Sequence, residues 1–489
     1  METIHLKTVD PISQELLRSA AQRGIQLGWE RYEKQQPQDG FQRLGLSCPY
    51  GCMQGPCRID PFGRGADRGL CGLDRDGMVA ALLLRLCVAG ALESLQRYLP
   101  EKVTPNVSMP ASLDRMLNRA LKNLGGGRLV ASEIHESGSL LSRPAESAEN
   151  LVERALRLGL LTLVLSGLKK AGKGYVESPC RVGYGILSAE EVFIGIAGQP
   201  SEKSLQTLEK EAGKKGFPAV RLVSLGNWTK GNKGFLPFAC TSGEAELLLS
   251  TGKIHSLFAG PGTEASLLEI CRSLKIPSVE SEELLKPAEF VRLARKRQAL
   301  SSRQALSFDP SLVGEGRAIT SPQELGAVLS KNNARKIALV VGSDTFQQPM
   351  GWLPVELATH LMGDGFQVMG WGDAALWIIK KGLAGGNRKP VVTVLDDDPG
   401  LALEGLAAAN VMKQLRGVCF TGLKTCRDLS IALGWASLGV RVCVSSPMPF
   451  WGSETVRKIL SGKVEAVGGT FTHYDHPAEP TEILDWFKK

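Results

Sequence analysis

The sequence predicts a helical N-terminal domain followed by two open, parallel α/β domains. A chain of 489 residues is longer than one hydrophobic core can organise. Apolar residues recur at helical spacing through roughly the first third. Beyond that, short apolar runs alternate with amphipathic stretches, the pattern of a parallel sheet covered on both faces. These changes of pattern set the expected domains at 1–184, 185–315 and 316–489.

In the first domain, QELLRSAAQRGIQLGWERYEKQQ carries helical apolar spacing. DRDGMVAALLLRLCVAGALESLQRYL predicts a long buried helix, entered through an acidic first turn that suits the positive end of its dipole. SLDRMLNRALKNLGGGRL and SAENLVERALRLGLLTLVLSGLKKAGKG predict helices that stop at glycine. In the second domain, EEVFIGIAG, FPAVRLVSLGN, KIHSLFAG and KIPSVES read as strands, with PSEKSLQTLEKEAGKKG a helix between the first two. A charged helical bridge is expected over about 285–315. RKIALVVGS, GFQVMGWGD, KPVVTVLDD, RGVCFTG and GVRVCVSSP are the strands of the third domain. Each alternating unit predicts a Rossmann-like open sheet.

Composition narrows the class. An apolar fraction of 43 % and a charged fraction of 22 % are those of a globular protein. METIHLKTVDPISQELLRSA lacks a basic segment leading into an apolar core, so no signal peptide is expected. The run MVAALLLRLCVAGAL is broken by Arg85 and is too short to span a bilayer, so membrane insertion is not expected either. The expected location is the cytoplasm. A net charge of +8 is modest for this length. The densest basic run, VRLARKRQALSSR, has no interleaved aromatics and reads as a solvated helix face, which argues against a nucleic-acid partner. Eleven cysteines, an odd number, suit metal ligation or burial better than a disulfide framework.

Four of those cysteines crowd into SCPYGCMQGPCRIDPFGRGADRGLCGL, at Cys48, Cys52, Cys57 and Cys71. A loop can aim several thiolates at one centre, iron–sulfur or zinc. Zinc ribbons present paired C-x2-C knuckles, and this loop has neither. A [4Fe–4S] cubane fits better, with zinc and a purely structural role as the alternatives. Gly51, Gly55 and Gly72 let the backbone turn tightly, Pro56 stiffens the approach to Cys57, and Arg58, Arg64 and Arg68 offset the charge of a thiolate-bound cluster.

CMQGPCRIDPFGRGADRGLCGLDRDGMVAALLLR resembles the cubane-binding segment of the anaerobic nickel–iron–sulfur carbon monoxide dehydrogenases. Cys52, Cys57 and Cys71 stand at that family's spacing, and Cys48 lies one residue further upstream. YGILSAEEVFIGIAGQPSEKSLQTLEKEA, PFACTSGEAELLLSTGKIHSLFAG and SSPMPFWGSETVRKILSGKVEAVGGTF are similar to later family segments. The resemblance implies a helical cluster domain with two Rossmann-like domains. It also implies a homodimer made largely through the helical domain, with the helix from Asp74 to Leu99 near the two-fold axis.

The same resemblance implies a nickel–iron–sulfur centre held by one histidine and five cysteines, and most of these are missing. The histidine segment reads AGQ at Ala197 to Gln199. Further ligand positions carry Ala259, Ser343 and Asp373. Cys240 and Cys426 alone stand at ligand positions, as candidates for a second site. Two thiolates do not hold a sulfide-rich nickel cluster, so nickel is doubtful. The family's histidine ladder, catalytic lysine and upstream bridging cysteines also have no counterparts. Cys87, Cys180, Cys271 and Cys443 read as core, whereas Cys240, Cys419 and Cys426 are expected at strand ends facing the interdomain cleft, where Asp373, His255 or His360 could complete a smaller metal site. Asp396 to Asp398 form an acidic strand end that reads as a solvated turn. The leading reading is an iron–sulfur redox protein of this family, passing single electrons through one cubane to a ferredoxin-like or other partner. The alternatives are a carbon monoxide dehydrogenase with a remodelled cluster, and a non-catalytic paralogue acting in assembly or regulation.

Overall fold

The structure, a computed structural model, describes residues 6–35, 40–50, 52–98, 111–142, 146–167, 177–280, 286–301, 306–332, 335–384, 392–474 and 476–489. Gly51, expected to turn the cysteine loop, lies outside them. The N-terminal part is helical: α1 (Pro11–Gln22), α2 (Gly28–Lys34), α3 (Gly40–Leu44), α4 (Arg75–Tyr98), α5 (Ala111–Asn123), α6 (Ser132–Leu140) and α7 (Ala148–Gly167). Asp10 caps α1 by accepting from the Ile12 amide at 3.2 Å. The helical spacing read over 14–36 is two helices, because Gly24 takes a φ of +70° and ends the first.

The strands then begin: β1 (Glu177–Val182), β2 (Val192–Ala197), α8 (Glu202–Ala212), β3 (Val220–Leu225), the short hairpin β4 (Lys230–Gly231) and β5 (Gly234–Phe235), β6 (Phe238–Cys240), α9 (Ala245–Ser250), β7 (Ser256–Ala259), α10 (Ala265–Ser273) and β8 (Ser278–Val279). Next come α11 (Pro287–Ser301), β9 (Gly314–Ile319), α12 (Pro322–Asn332), β10 (Ile337–Val341), α13 (Trp352–Gly363), β11 (Gln367–Gly370), α14 (Gly372–Lys380) and β12 (Thr393–Leu395). The chain closes with α15 (Pro399–Ala408), β13 (Leu415–Phe420), α16 (Cys426–Ser437), β14 (Arg441–Val444), α17 (Glu454–Glu465), β15 (Thr470–His473) and α18 (Pro480–Lys488).

Every strand read from an apolar run is present. The two α/β units lie edge to edge in one 13-stranded sheet, ordered β15-β14-β13-β10-β11-β12-β9-β1-β6-β3-β2-β7-β8. All its pairings are parallel except the seam, where β1 and β9 run antiparallel from Glu177↔Ile319 to Val182↔Gly314. The seam strands, ESPCRV and GEGRAI, escape a search for apolar runs because charge and glycine fill them. The charged bridge expected as helix over about 285–315 is helical only over Pro287–Ser301, and its last two residues open β9. Its Gly314 is obligatory, since a Cβ there would stand 2.0 Å from the Ile379 carbonyl of α14.

Helices α4–α7 pack on the second half-sheet, whereas α1 and α2 join the core of the first. One core cluster runs from Val79, Leu83 and Leu156 to Leu339, Val418 and Trp435. Each fully buried leucine there contributes about 1.5–3 kcal/mol. Among the described residues α4 is the one helix long and apolar enough to cross a membrane. The expectation that its run is too short thus fails on length, since the helix extends beyond the run at both ends. It is instead a core helix, closely packed on α7 and α16 through glycines. A Cβ on Gly90 would lie 2.3 Å from the Cys426 carbonyl, and one on Gly434 would lie 2.4 Å from the Gly159 carbonyl.

Candidate functional site

The cysteine loop is folded by its own backbone. Cys48 N donates to the Cys57 carbonyl at 2.9 Å, and Ile59 N donates to that of Leu46 at 2.9 Å. This short antiparallel ladder sets Cys48 beside Cys57. The far end returns through Gly69 N, which donates to the Leu73 carbonyl at 2.8 Å, and Gly72 N, which donates to that of Gly69 at 2.9 Å. That turn brings the Leu70 amide to the Cys57 sulfur at 3.4 Å. Beneath lies a small apolar floor of Ile59, Leu73 and Met78, with Cys48, Tyr50 and Cys57 packed on it. Arg85, the charge that interrupts the apolar run of α4, donates to the Pro49 carbonyl at 2.7 Å and ties the loop to the helix.

The thiols feel one another. Burial pushes the Cys48 thiol above its ordinary pKa, and Cys57, Cys71 and Cys52 push it the same way. Burial raises Tyr50 to about 12, helped by Cys48 and Cys71. Cys52 and Cys71 are exposed, and Cys48 and Cys57 half-buried. Among the described residues no group of three or more His, Cys, Asp or Glu is disposed around a single metal ion. Four thiols in one loop, with a backbone N–H on one sulfur, are donors of the kind an iron–sulfur group takes. The arginines are partly committed elsewhere: Arg68 donates to the Gly72 carbonyl at 2.9 Å, and Arg64 stacks on Phe62 at 4.9 Å.

The second place of interest is the crevice where the carboxyl ends of strands from both half-sheets meet, the usual site for ligands in open sheets. Thr241 and Ser242 follow β6, Asp344 follows β10 and Asp373 opens α14 after β11. Thr241 Oγ1 donates to Asp344 Oδ2 at 2.6 Å, and Ser242 Oγ donates to Asp373 Oδ2 at 2.6 Å. The Ser242 and Asp344 amides each donate to Asp373 at 2.9 Å, and Trp377 Nε1 donates to Asp344 Oδ1 at 2.8 Å. Burial, with Asp373 alongside, pushes Asp344 up to about 7; burial raises Asp373 too. Lys380 lies between Asp10 and Glu244, 2.7 Å from Glu244 Oε1, over the rings of Tyr184 at 4.5 Å and Trp377 at 4.7 Å. At the outer edge Lys424 pairs with Glu264.

The remaining candidates fall in different places. Cys240 ends β6, fully buried in an apolar cluster that also holds Ala197 and Ala259. Cys426 begins α16 and its thiol is influenced by Glu93 and Asp428, whereas Cys240 is influenced by Glu244, Lys380, Asp373 and Asp344. Cys419 is not at the cleft. It is the penultimate residue of β13, in register with Cys443, and packs with it in a core separate from the one that takes its neighbours Val418 and Phe420. His255 is buried with Nδ1 accepting from the Phe193 amide at 2.9 Å, and His360 pairs with Glu356 on an exposed face of α13, so neither joins Asp373. Asp396 pairs with Lys230 at 2.5 Å and Asp398 caps α15, which turns that acidic strand end to structural use. Cys87, Cys180, Cys271 and Cys443 are buried as expected. The clasp residues Thr241, Ser242, Glu244, Asp344 and Lys380 are missed by sequence reasoning. Their one signal is the T-S-G-E capping box after β6.

Curated proteins and solved structures give the same relatives. The chain is 51 % identical over 90 residues to carbon monoxide dehydrogenase 1 of Methanosarcina mazei, and 52 % identical over 81 residues to the carbon monoxide dehydrogenase of Rhodospirillum rubrum. Over those stretches the chain is similar to carbon monoxide dehydrogenases. The matched stretches span 18 % and 17 % of this chain and only 14 % and 12 % of those relatives. No family model matches it. The structure superposes on carbon monoxide dehydrogenase IV from Carboxydothermus hydrogenoformans with a TM-score of 0.79 and 21 % identity, covering 98 % of both chains. A nickel-free carbon monoxide dehydrogenase from Thermococcus sp. AM4 gives 0.79 at 20 % identity, over 99 % of this chain and 96 % of that one. At such identities the likeness is one of fold, and the family's mostly parallel sheet with flanking helices runs the length of this chain.

Proposed function

We propose that this chain is an iron–sulfur electron-transfer protein of the carbon monoxide dehydrogenase family, with one [4Fe–4S] cluster on Cys48, Cys52, Cys57 and Cys71. The observation that carries the reading is the loop itself, where a short backbone ladder sets Cys48 beside Cys57 and the Leu70 amide meets the Cys57 sulfur. Such a cluster supplies one-electron chemistry. The chain's part is to hold four thiolates, to place an N–H on one sulfur, and to leave Cys52 and Cys71 at the surface where a redox partner can approach. A ferredoxin-like carrier suits that role. The protein acts in the cytoplasm, as a homodimer joined through the helical part.

Carbon monoxide oxidation, the activity in the relatives' names, is the second reading. It is favoured by the likeness of the matched stretch to those relatives and opposed by the donors in the crevice, where alanine, serine and aspartate occupy the positions at which the resemblance expects soft ligands. Anaerobic reconstitution with iron and sulfide tests the first reading. The expected product holds about four irons per chain, absorbs brown, and on reduction gives a low-temperature spin-resonance signal. Cys57→Ser should lose the iron and the colour together. Unchanged iron in that variant would sink the cubane.

A further inference from the structure

We infer that the crevice between the half-sheets is a self-closed polar joint, built from side chains that clasp each other where relatives would need room for a metal cluster. The inference rests on the electron-transfer reading only for where iron is expected. It stands on two observations about this chain's own residues.

The first is that the polar groups are spent on one another. Both oxygens of Asp344, Asp373 and Glu244 accept hydrogen bonds, and every donor is a residue of this chain. Asp344 takes Trp377, Thr241 and the Gly243 amide, the last at 3.3 Å. Asp373 takes the Ser242 amide and hydroxyl and the Asp344 amide. Glu244 takes Lys380 and Ser13 on one oxygen and the Thr241 amide on the other. Ser343 is turned away, its hydroxyl donating to Asp428 at 3.2 Å. In such a network every carboxylate oxygen already has a donor, so a foreign ion would have to displace hydrogen bonds, and breaking them leaves buried groups unpaired. The carboxylates are also hard donors, ill matched to a sulfide-bridged cluster.

The second is that the space is filled. A Cβ on Gly243 would lie 2.6 Å from Met350 Sδ and 2.8 Å from Asp344 Cβ, so the turn after β6 presses directly on the second half-sheet. Ala197 and Ala259 stand in register on β2 and β7. Their methyls share one apolar cluster with Cys240, Met350 and Trp377. The thiol at Cys240 is fully buried in that cluster, and the joint ties α1, through Asp10 and Ser13, to both half-sheets.

The test uses the full chain, reconstituted anaerobically with ferrous iron, sulfide and nickel(II), as wild type, Cys57→Ser and Cys240→Ser. Wild type and Cys240→Ser should carry the same iron, Cys57→Ser none, and all three only background nickel. Hydrogen exchange on the wild type gives a readout that needs no variant to fold. The amides of Ser242, Gly243 and Asp344 should be equally protected before and after metal loading. Nickel or iron that survives Cys57→Ser, or a loading-dependent change in protection at those amides, would overturn the joint. A wild type that takes up no iron would end the cubane reading and leave the joint standing.

Discussion

Lys380→Met is the sharpest perturbation of this fold. Methionine keeps the unbranched stem over the Tyr184 and Trp377 rings and deletes only the ammonium. Lys380's side chain is 9 % exposed, and its partners Asp10 and Glu244 are 10 % and 0 % exposed, so little water can replace the lost charge. Removing one partner of a buried ion pair costs about 3–5 kcal/mol, because the other charge stays buried without compensation. That is a large share of the roughly 5–15 kcal/mol that holds a protein folded. The pH dependence identifies the cause. Burial works against ionised Asp10, but Lys380 and its hydrogen bond prevail and hold the carboxyl below its ordinary range. Its contribution in the wild type is therefore present above the unfolded pKa of 3.8 and lost as pH falls through the lower folded value. In Lys380→Met the deficit should be largest near neutral pH and shrink towards pH ~4, as the stranded carboxylates take up protons. Urea denaturation followed by circular dichroism at both pH values measures it. Adding Glu244→Gln should recover part of the loss. A deficit under about 1 kcal/mol, or one independent of pH, would refute the reasoning.

Three further outcomes are expected. Burial first, then Arg297 and Lys253, depress His255 to about 4 from 6.5, so this neutral histidine costs stability as pH falls from about 6.5 to 4. His255→Gln, which keeps an acceptor for the Phe193 amide, should flatten that part of the urea-midpoint profile; an unchanged slope would rule His255 out as its source. Gly90→Ala forces a methyl against the Cys426 carbonyl and Ser430 Oγ, both 2.3 Å from its Cβ, and should cost about 1–3 kcal/mol in chemical denaturation. The nickel-supplemented protein should not reduce a viologen dye with carbon monoxide, and sustained reduction would promote the second reading.

Much of this molecule is legible in its sequence, because local physics writes it there. Strands β2, β3, β7, β10, β11, β13 and β14 announce themselves as apolar runs, since strands of a parallel sheet are buried on both faces. The long helix α4 is legible for the same reason. The cysteine loop can be read too, as ligand spacing is set by a short stretch of chain. The seam cannot, because β1 carries charge and proline and β9 charge and glycine, and they pair only in the folded chain, with over a hundred residues between them. Nor can the crevice. Thr241, Ser242, Asp344, Asp373 and Lys380 are ordinary turn and helix residues in their own segments. Their meaning comes from desolvation: once the two half-sheets close, water is excluded and each carboxylate must find its donors on a distant strand end. The cleft position expected for Cys419 fails likewise, since successive strand residues face opposite sides of the sheet: Val418 and Phe420 join the core under the helical part, and Cys419 between them joins the other.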